Sequence, residues 1–297
     1  MFNDLVRENV PMKDYSTFKA GGNARFFSEP SDENELRVLL EHSRSNDIPV
    51  TVIGNGSNIL VSDKGYDGLI IKIGKGFADL KLDKSDDRLN VEAGAGLLLS
   101  VFGNTVAREG YTGAEFCCGI PGSVGGAVFM NAGAYGREIK DIVTEVDAMG
   151  PDLTIKTLKA GELELGYRRS VFLKNGSIVL RARFTLEKGD SETIMNYVAE
   201  LRGKRTASQP LEHPSAGSTF KRPEGHYAGA LIQEAGLKGF ALDDSGAMVS
   251  AKHAGFVVNI GGRASAADIY RLICYVTDKV YETSGVRLEP EVRLIGF

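Results

Sequence analysis

Two glycine-rich stretches are where residue type and spacing in this sequence could first do chemistry. One is GNGSN at residues 54–58; the other is GIPGSVGGAVFMNAGAYG at residues 119–136, with six glycines, one proline and no formal charge. Backbone N–H groups at turns and helix N-termini bind phosphate oxygens, and glycine lets that backbone approach without a Cβ in the way. Either stretch could cradle a pyrophosphate: Gly54, Asn55, Gly56, Ser57 and Asn58 in the first, and Gly119, Ile120, Pro121, Gly122, Ser123, Gly125, Gly126 and Asn131 in the second. A lone G-x-G is most often just a tight turn. Two clusters carrying Asn55, Asn58 and Asn131 favour the cradle. G-x-G-x-x-G is absent from GNGSNI, AGAGLLL and GIPGSVGG, and no G-K-[ST] follows, so neither a Rossmann fingerprint nor a P-loop is present.

Other chemistry is thinly represented. His42, His213, His226 and His253 have no HxH or HExxH spacing, and Cys117, Cys118 and Cys274 have no CxxC spacing. No metal site is expected, the thiols are read as reduced, and His253 as structural. The net charge of -4 and an isoelectric point near 5.7 provide no broad basic field, so neither a nucleic acid nor an anionic membrane is an expected partner. Lys204, Arg205, Lys221 and Arg222 form a local basic group around a polar, proline-bearing stretch at residues 206–225, the best boundary signal in the chain. No apolar run nears the roughly 20 residues of a membrane span. The N-terminal MFNDLVRENVPMKDY mixes acids where a signal peptide is apolar, so a cytoplasmic location is expected.

The elements that must position these residues alternate. A helix is expected over 31–46, with Asp32 and Glu35 at capping-box spacing and Leu36, Leu39 and Leu40 on one face. Short strands follow at 50–53, 59–61 and 69–73, then a strand at 89–93 and a helix in 97–110. Beyond the second glycine stretch, strands are expected at 142–149, 154–158 and 178–186, the last alternating as IVLRARFTL, and a helix at 191–205. The last part reads as a helix at 227–237, short strands within 240–260, a helix at 266–284 begun by Ser265 and stopped by Gly285, and a final strand.

GNGSNILVSD, EFCCGIPGSVGGAVFMNAGAYG, GYRRSVF, PSAGSTFKRP, HAGFVVN and LEPEVRLIG, in this order over essentially the whole chain, resemble the UDP-N-acetylenolpyruvoylglucosamine reductase family of bacterial peptidoglycan synthesis. The resemblance implies an α+β chain with the two-lobed FAD-binding fold of the vanillyl-alcohol-oxidase (PCMH) type and a smaller α+β substrate-binding domain. The corresponding boundaries are 1–80 and 81–190 for the FAD-binding lobes, 191–285 for the substrate domain, and 286–297 for a strand returning to the active site. The third lobe has no room for a tyrosine-bearing insertion found in one branch, so the chain resembles the short, second type. FAD is the implied cofactor, NADPH the co-substrate, and UDP-N-acetylglucosamine enolpyruvate the substrate of a monomeric enzyme.

Site residues follow by motif. Ser218 in AGSTF is the implied proton donor, with Lys221 a local cation. Arg168 in GYRRSVF is the implied partner of the substrate carboxylate; the residues alone favour neither it nor Arg169, and the Tyr-Arg pair of the family selects it. Glu291 is the implied catalytic carboxylate, chosen over Glu289 by the Glu-Val-Arg pattern, with Arg293 near the flavin. Arg205, Lys221 and Arg222 are expected at the substrate pyrophosphate, and Gln233 and Asn259 as further substrate contacts, although such amides equally serve local backbone. Two other readings compete: another flavin oxidoreductase of this fold, which would lack the joint Arg168, Ser218 and Glu291 set, and a non-catalytic UDP-sugar sensor, which would not need the flavin motifs.

Overall fold

The alternation in Ile178–Lys188 becomes a long strand that buries Leu180, Ala182, Phe184 and Leu186 while Arg181, Arg183 and Thr185 stay partly open to solvent. The structure, a computed structural model, describes residues 2–297. This strand is central to an antiparallel sheet of order Ile155–Lys159, Val143–Met149, Ile178–Lys188, Arg88–Gly94, Leu80–Lys84, with Tyr111–Thr112 paired to its end. Helix Leu99–Arg108 buries Leu99, Phe102 and Val106, and the Phe102 and Phe184 rings meet at 4.5 Å. Helix Glu33–Ser45 starts at Asp32, whose carboxylate accepts from Asn34 N–H and Glu35 N–H at 2.8 and 2.9 Å, while Glu35 accepts from Ser31 N–H at 2.7 Å. These elements belong to a first compact unit made of the chain up to Val6, Ser28–Asn55 and Ile70–Arg205.

The second unit comprises Arg7–Phe27, Gly56–Leu69 and Thr206–Phe297. Its core gathers Phe18, Leu60, Leu231, Ile232, Ile269, Leu272, Ile273 and Val276. Helix Ala266–Ser284 is held at its start by a reciprocal Ser265–Asp268 capping box and by the Asp63 carboxylate, which accepts from Ala266 N–H and Ala267 N–H at 2.9 and 2.7 Å. It ends at Gly285, whose φ of 71° is the left-handed C-cap that glycine adopts freely. Ala247–Val249 pairs antiparallel with Val257–Asn259. The C-terminal strand Arg293–Ile295 runs parallel to Ile59–Val61, residue for residue.

The structure departs from the expectations at its polar edges. Strand Arg7–Pro11 carries no apolar alternation, Val10 being its one fully buried residue, and Leu80–Lys84, which alternates only through Leu80 and Leu82, is a largely exposed sheet edge. The expected break at 190 falls instead at Arg205/Thr206. Helix Ser191–Ser208 stays with the first unit up to that point, since Ile194 and Val198 pack against Ala107. The second unit also draws in 7–27 and 56–69, segments remote in sequence.

Candidate active-site residues

In the first unit the second glycine stretch forms a loop and a short helix, Val124–Met130. Its first amides are all in use: Val124 N–H donates to Leu97 C=O and Gly125 N–H to Ala95 C=O, both at 2.8 Å. Gly126 N–H reaches Ser123 Oγ at 3.3 Å and Ala127 N–H reaches Ser123 C=O at 2.8 Å. The expectation that this helix start faces a phosphate is therefore corrected. The open donors lie just before it, where Gly122 N–H and Ser123 N–H have no acceptor among the described residues, nor has Asn55 N–H. Asn55 Nδ2 donates to Pro121 C=O at 2.5 Å, and a Cβ at Gly54 would lie 2.2 Å from Ser123 Oγ, so the two glycine stretches meet here.

Gly125 and Gly126, alike in sequence, do different work. A Cβ at Gly125 would lie 2.7 Å from Ala95 Cβ, so this glycine serves internal packing; at Gly126 the nearest atom would be Ser123 Oγ at 3.4 Å. Arg205 lies against the same loop: a Cβ at Gly119 would sit 3.2 Å from its Cδ. Burial lowers the Arg205 pKa, and the side chain has no ion pair or hydrogen bond among the described residues. Open loop amides beside a half-buried, unopposed guanidinium fit the diphosphate of a dinucleotide. The residues present therefore suit FAD, and Arg205, expected at the substrate, lies against the loop at Gly119.

Arg168 occupies the tip of a two-residue turn closed by Gly166 N–H to Arg169 C=O and Arg169 N–H to Gly166 C=O, both at 3.1 Å. Its φ of 50° is in the left-handed region, which costs a non-glycine residue about 1 kcal/mol. Its guanidinium stacks on Tyr167, 4.9 Å from the ring centre, and Nη1 donates to Asn131 C=O at 3.4 Å. Arg169 instead pairs with Glu164 at the surface. Asn131 is 0% exposed, and its amide donates to Glu138 Oε2 and Gly166 C=O and accepts from Lys140 N–H. It holds protein, which corrects its expected place as a direct cofactor contact. Glu138 was not singled out from sequence; its capping box with Asp141 is the one local signal.

The second unit assembles another set. Gly56 is buried with φ 68°, and the N–H groups of Gly56, Ser57 and Asn58 have no acceptor among the described residues. A Cβ at Gly56 would lie 1.8 Å from Tyr15 C=O. Asn58 Nδ2 donates to Glu291 C=O at 3.1 Å, and Arg293 N–H donates to Asn58 C=O at 3.0 Å. Glu291 N–H in turn donates to Thr219 C=O at 2.8 Å, and Lys221 N–H to Glu289 C=O at 2.8 Å. Ser218 thus lies on the segment paired with Glu291, exposed, its hydroxyl without a partner among the described residues. Glu289 is ion-paired with Lys221, and Glu291 is half-buried. Crowding around the Arg293 guanidinium lowers its pKa even though part of the side chain meets solvent.

Of the remaining candidates, Arg222 is exposed and stacks 4.1 Å above the Tyr227 ring, and Gln233 is exposed in the last turn of Ala228–Glu234. Lys204 pairs with Glu200. Asn259 is 0% exposed, donates to Phe18 C=O at 2.9 Å and accepts from Ala264 N–H at 2.8 Å. Its expected substrate contact is corrected: a side chain sealed in the core and fully bonded there does not meet a ligand. Burial raises the Cys117 thiol well above its usual pKa and pushes Cys118 up to about 11, which disfavours the thiolate in both. His253 Nδ1 accepts from Gly255 N–H at 3.1 Å, a structural bond. No cluster of three metal-ligating side chains occurs among the described residues, and none of their helices is long and apolar enough to cross a membrane.

Two family models match the chain. The family model for an FAD binding domain matches residues 24–159, and that for the C-terminal domain of UDP-N-acetylenolpyruvoylglucosamine reductase matches residues 209–295. The UDP-N-acetylenolpyruvoylglucosamine reductase of Agathobacter rectalis is 49% identical, over 97% of this chain and 93% of that protein. The one from Latilactobacillus sakei is 48% identical, over 98% and 93%. The crystal structure of UDP-N-acetylenolpyruvylglucosamine reductase from Thermus caldophilus superposes with a TM-score of 0.82 at 36% identity, covering 98% of this chain and 99% of that one. With near-full-length identity of this order, the chain belongs to the UDP-N-acetylenolpyruvoylglucosamine reductase family.

Proposed function

We propose that this chain reduces the enolpyruvyl ether of UDP-N-acetylglucosamine enolpyruvate to the lactyl ether of UDP-N-acetylmuramate, with NADPH as reductant, as a cytoplasmic monomer. The observation that carries the reading is the pairing of the Ser218 and Glu291 segments through Glu291 N–H and Thr219 C=O, in a chain of this family. Bound FAD would supply hydride transfer, from NADPH to the β-carbon of the enolpyruvyl group. On the FAD side, the loop of Gly54, Asn55 and residues 119–123 with Arg205 would hold the diphosphate; Gly56, Ser57, Asn58 and Arg293 are further proposed cofactor contacts.

The remaining chemistry falls to side chains. As the C=C bond breaks, its electron pair moves onto the α-carbon and the carboxylate, and the developing dianion needs a fixed positive partner. Arg168 supplies it, because a guanidinium offers two parallel donors to a carboxylate and keeps its charge. Ser218 Oγ–H gives its proton to the α-carbon. A hydroxyl is a weak acid, so the transfer depends on how basic that carbon has become. Glu291 polarises the intermediate from the segment beside Ser218. Lys221, Arg222 and Gln233, all on the second unit, are the proposed contacts to the UDP-sugar.

Anaerobic stopped-flow absorbance at the flavin band tests the reading. Bleaching by NADPH, then recolouring that requires the enolpyruvyl sugar nucleotide, is the expected result. Bleaching without recolouring would leave a flavin enzyme with another substrate; no flavin band after reconstitution would favour a UDP-sugar-binding protein.

A further inference from the structure

The turn that presents Arg168 is clamped from one side by a residue with no access to any ligand. Asn131 ends helix Val124–Met130 in the left-handed conformation, φ 42°. Each polar atom of its side chain is engaged: Nδ2 donates to Gly166 C=O at 2.9 Å and to Glu138 Oε2 at 3.0 Å, and Oδ1 accepts from Lys140 N–H at 3.0 Å. The Glu138 carboxylate and the Gly166 carbonyl are both acceptors, so the amide has one permitted orientation. Glu138 is held in its turn by Lys140 Nζ at 2.7 Å and by its capping box with Asp141. On the other flank of the turn, Ser170 Oγ, 0% exposed, donates to Phe129 C=O at 2.7 Å. Gly166 and Ser170 bracket Arg168 in sequence, and both are tied to the end of one helix. The Asn131 carbonyl itself accepts from Arg168 Nη1 at 3.4 Å.

We propose that Asn131 is the positioning residue for Arg168: by fixing the Gly166 carbonyl and offering its own to the guanidinium, it sets where the charge that meets the substrate carboxylate stands. The inference rests on the reading of Arg168 as the carboxylate partner. The helix Asn131 terminates is seven residues long, about 10 Å, and the diphosphate loop precedes its first turn. One short rigid element therefore spaces the Arg168 turn from that loop within the first unit. An arginine in a left-handed turn would otherwise relax to an extended conformation, and a shift of about 1 Å at a reacting group can cost a hundredfold in rate.

The test compares Asn131→Gly, which retains left-handed backbone freedom but loses the amide, Asn131→Asp, which keeps the shape but sets a carboxylate against Glu138 and Gly166 C=O, Arg168→Ala, and the Asn131→Gly/Arg168→Ala pair. All are FAD-reconstituted enzymes. Each Asn131 variant is expected to slow flavin reoxidation by the enolpyruvyl substrate about ten- to a hundredfold while NADPH reduction of the flavin keeps its rate. By calorimetry, affinity for UDP-N-acetylmuramate should fall, whereas UDP-N-acetylglucosamine, lacking the carboxylate, should bind as before. The paired variant should be no slower than Arg168→Ala alone. Multiplicative losses in the pair, equal losses in both half-reactions, or equal weakening of both sugar nucleotides would overturn the inference. If Arg168→Ala reoxidises normally, it is the reading of Arg168 that has failed; if it is slow while both Asn131 variants match the parent enzyme, the positioning role alone is wrong.

Discussion

Glu291 and Thr219 share a backbone hydrogen bond of 2.8 Å, amide to carbonyl, although 72 positions separate them (291 − 219). The bond brings the Ser218 segment alongside the chain that Asn58 Nδ2 holds at Glu291 C=O. Adjacent extended segments of this kind lie about 5 Å apart, so Ser218 and Glu291, the proposed proton donor and carboxylate, arise from neighbouring backbones within one unit.

Removing the donor should separate the two halves of the reaction. Ser218→Ala is expected to leave NADPH reduction of the flavin intact and to slow reoxidation by the enolpyruvyl substrate by about a thousandfold. Single-turnover absorbance measures both, and equal losses in the two steps would assign the serine another role.

The two neighbouring glycines should respond differently to one substitution. Gly125→Val forces a side chain into Ala95 and should cost about 3 kcal/mol, read as a lower thermal midpoint. Gly126→Val meets only Ser123 Oγ at the limit of contact and should cost no more than about 1 kcal/mol. Equal thermal midpoints in the two variants would show that the space at Gly125 is not closed by Ala95.

Arg205→Met keeps much of the stem that covers Gly119 but loses the charge. Its flavin affinity should fall about tenfold or more, since charge-assisted bonds to phosphate are strong, and the loss should shrink at high salt. Fluorescence titration of apoprotein with FAD measures this, and unchanged affinity would remove Arg205 from the diphosphate site.

Asp147 makes stability depend on acid. Burial would raise its pKa, but hydrogen bonds from Arg183 and Thr157 outweigh that and lower it below the usual value. A depressed folded-state pKa contributes stability that is present above the unfolded value, near 4, and is lost as pH falls through the folded one. Asp147→Asn should cost about 2 kcal/mol at neutral pH and flatten the fall in thermal midpoint below about pH 4. An unchanged slope there would show that other carboxylates govern acid sensitivity.

The local chemistry of this chain was legible from residue order alone. Asp32 and Glu35, Ser265 and Gly285 mark helix ends because capping depends on a few adjacent residues, and IVLRARFTL reads as a strand because burial on one sheet face imposes a period of two. The sequence also carried the motifs in register, and with them the family and the FAD. Tertiary structure decided what each polar or small residue was for. Asn131 and Asn259 look like ligand amides in sequence but lie sealed in the protein, and Gly125 and Gly126 differ only in what their missing side chains would strike. The second unit's recruitment of 7–27 and 56–69, and the return of Arg293–Ile295 beside Ile59–Val61, likewise had no local signature. Burial and hydrogen-bond saturation are set by residues far away along the chain, and no short stretch records which distant carbonyl an amide will meet.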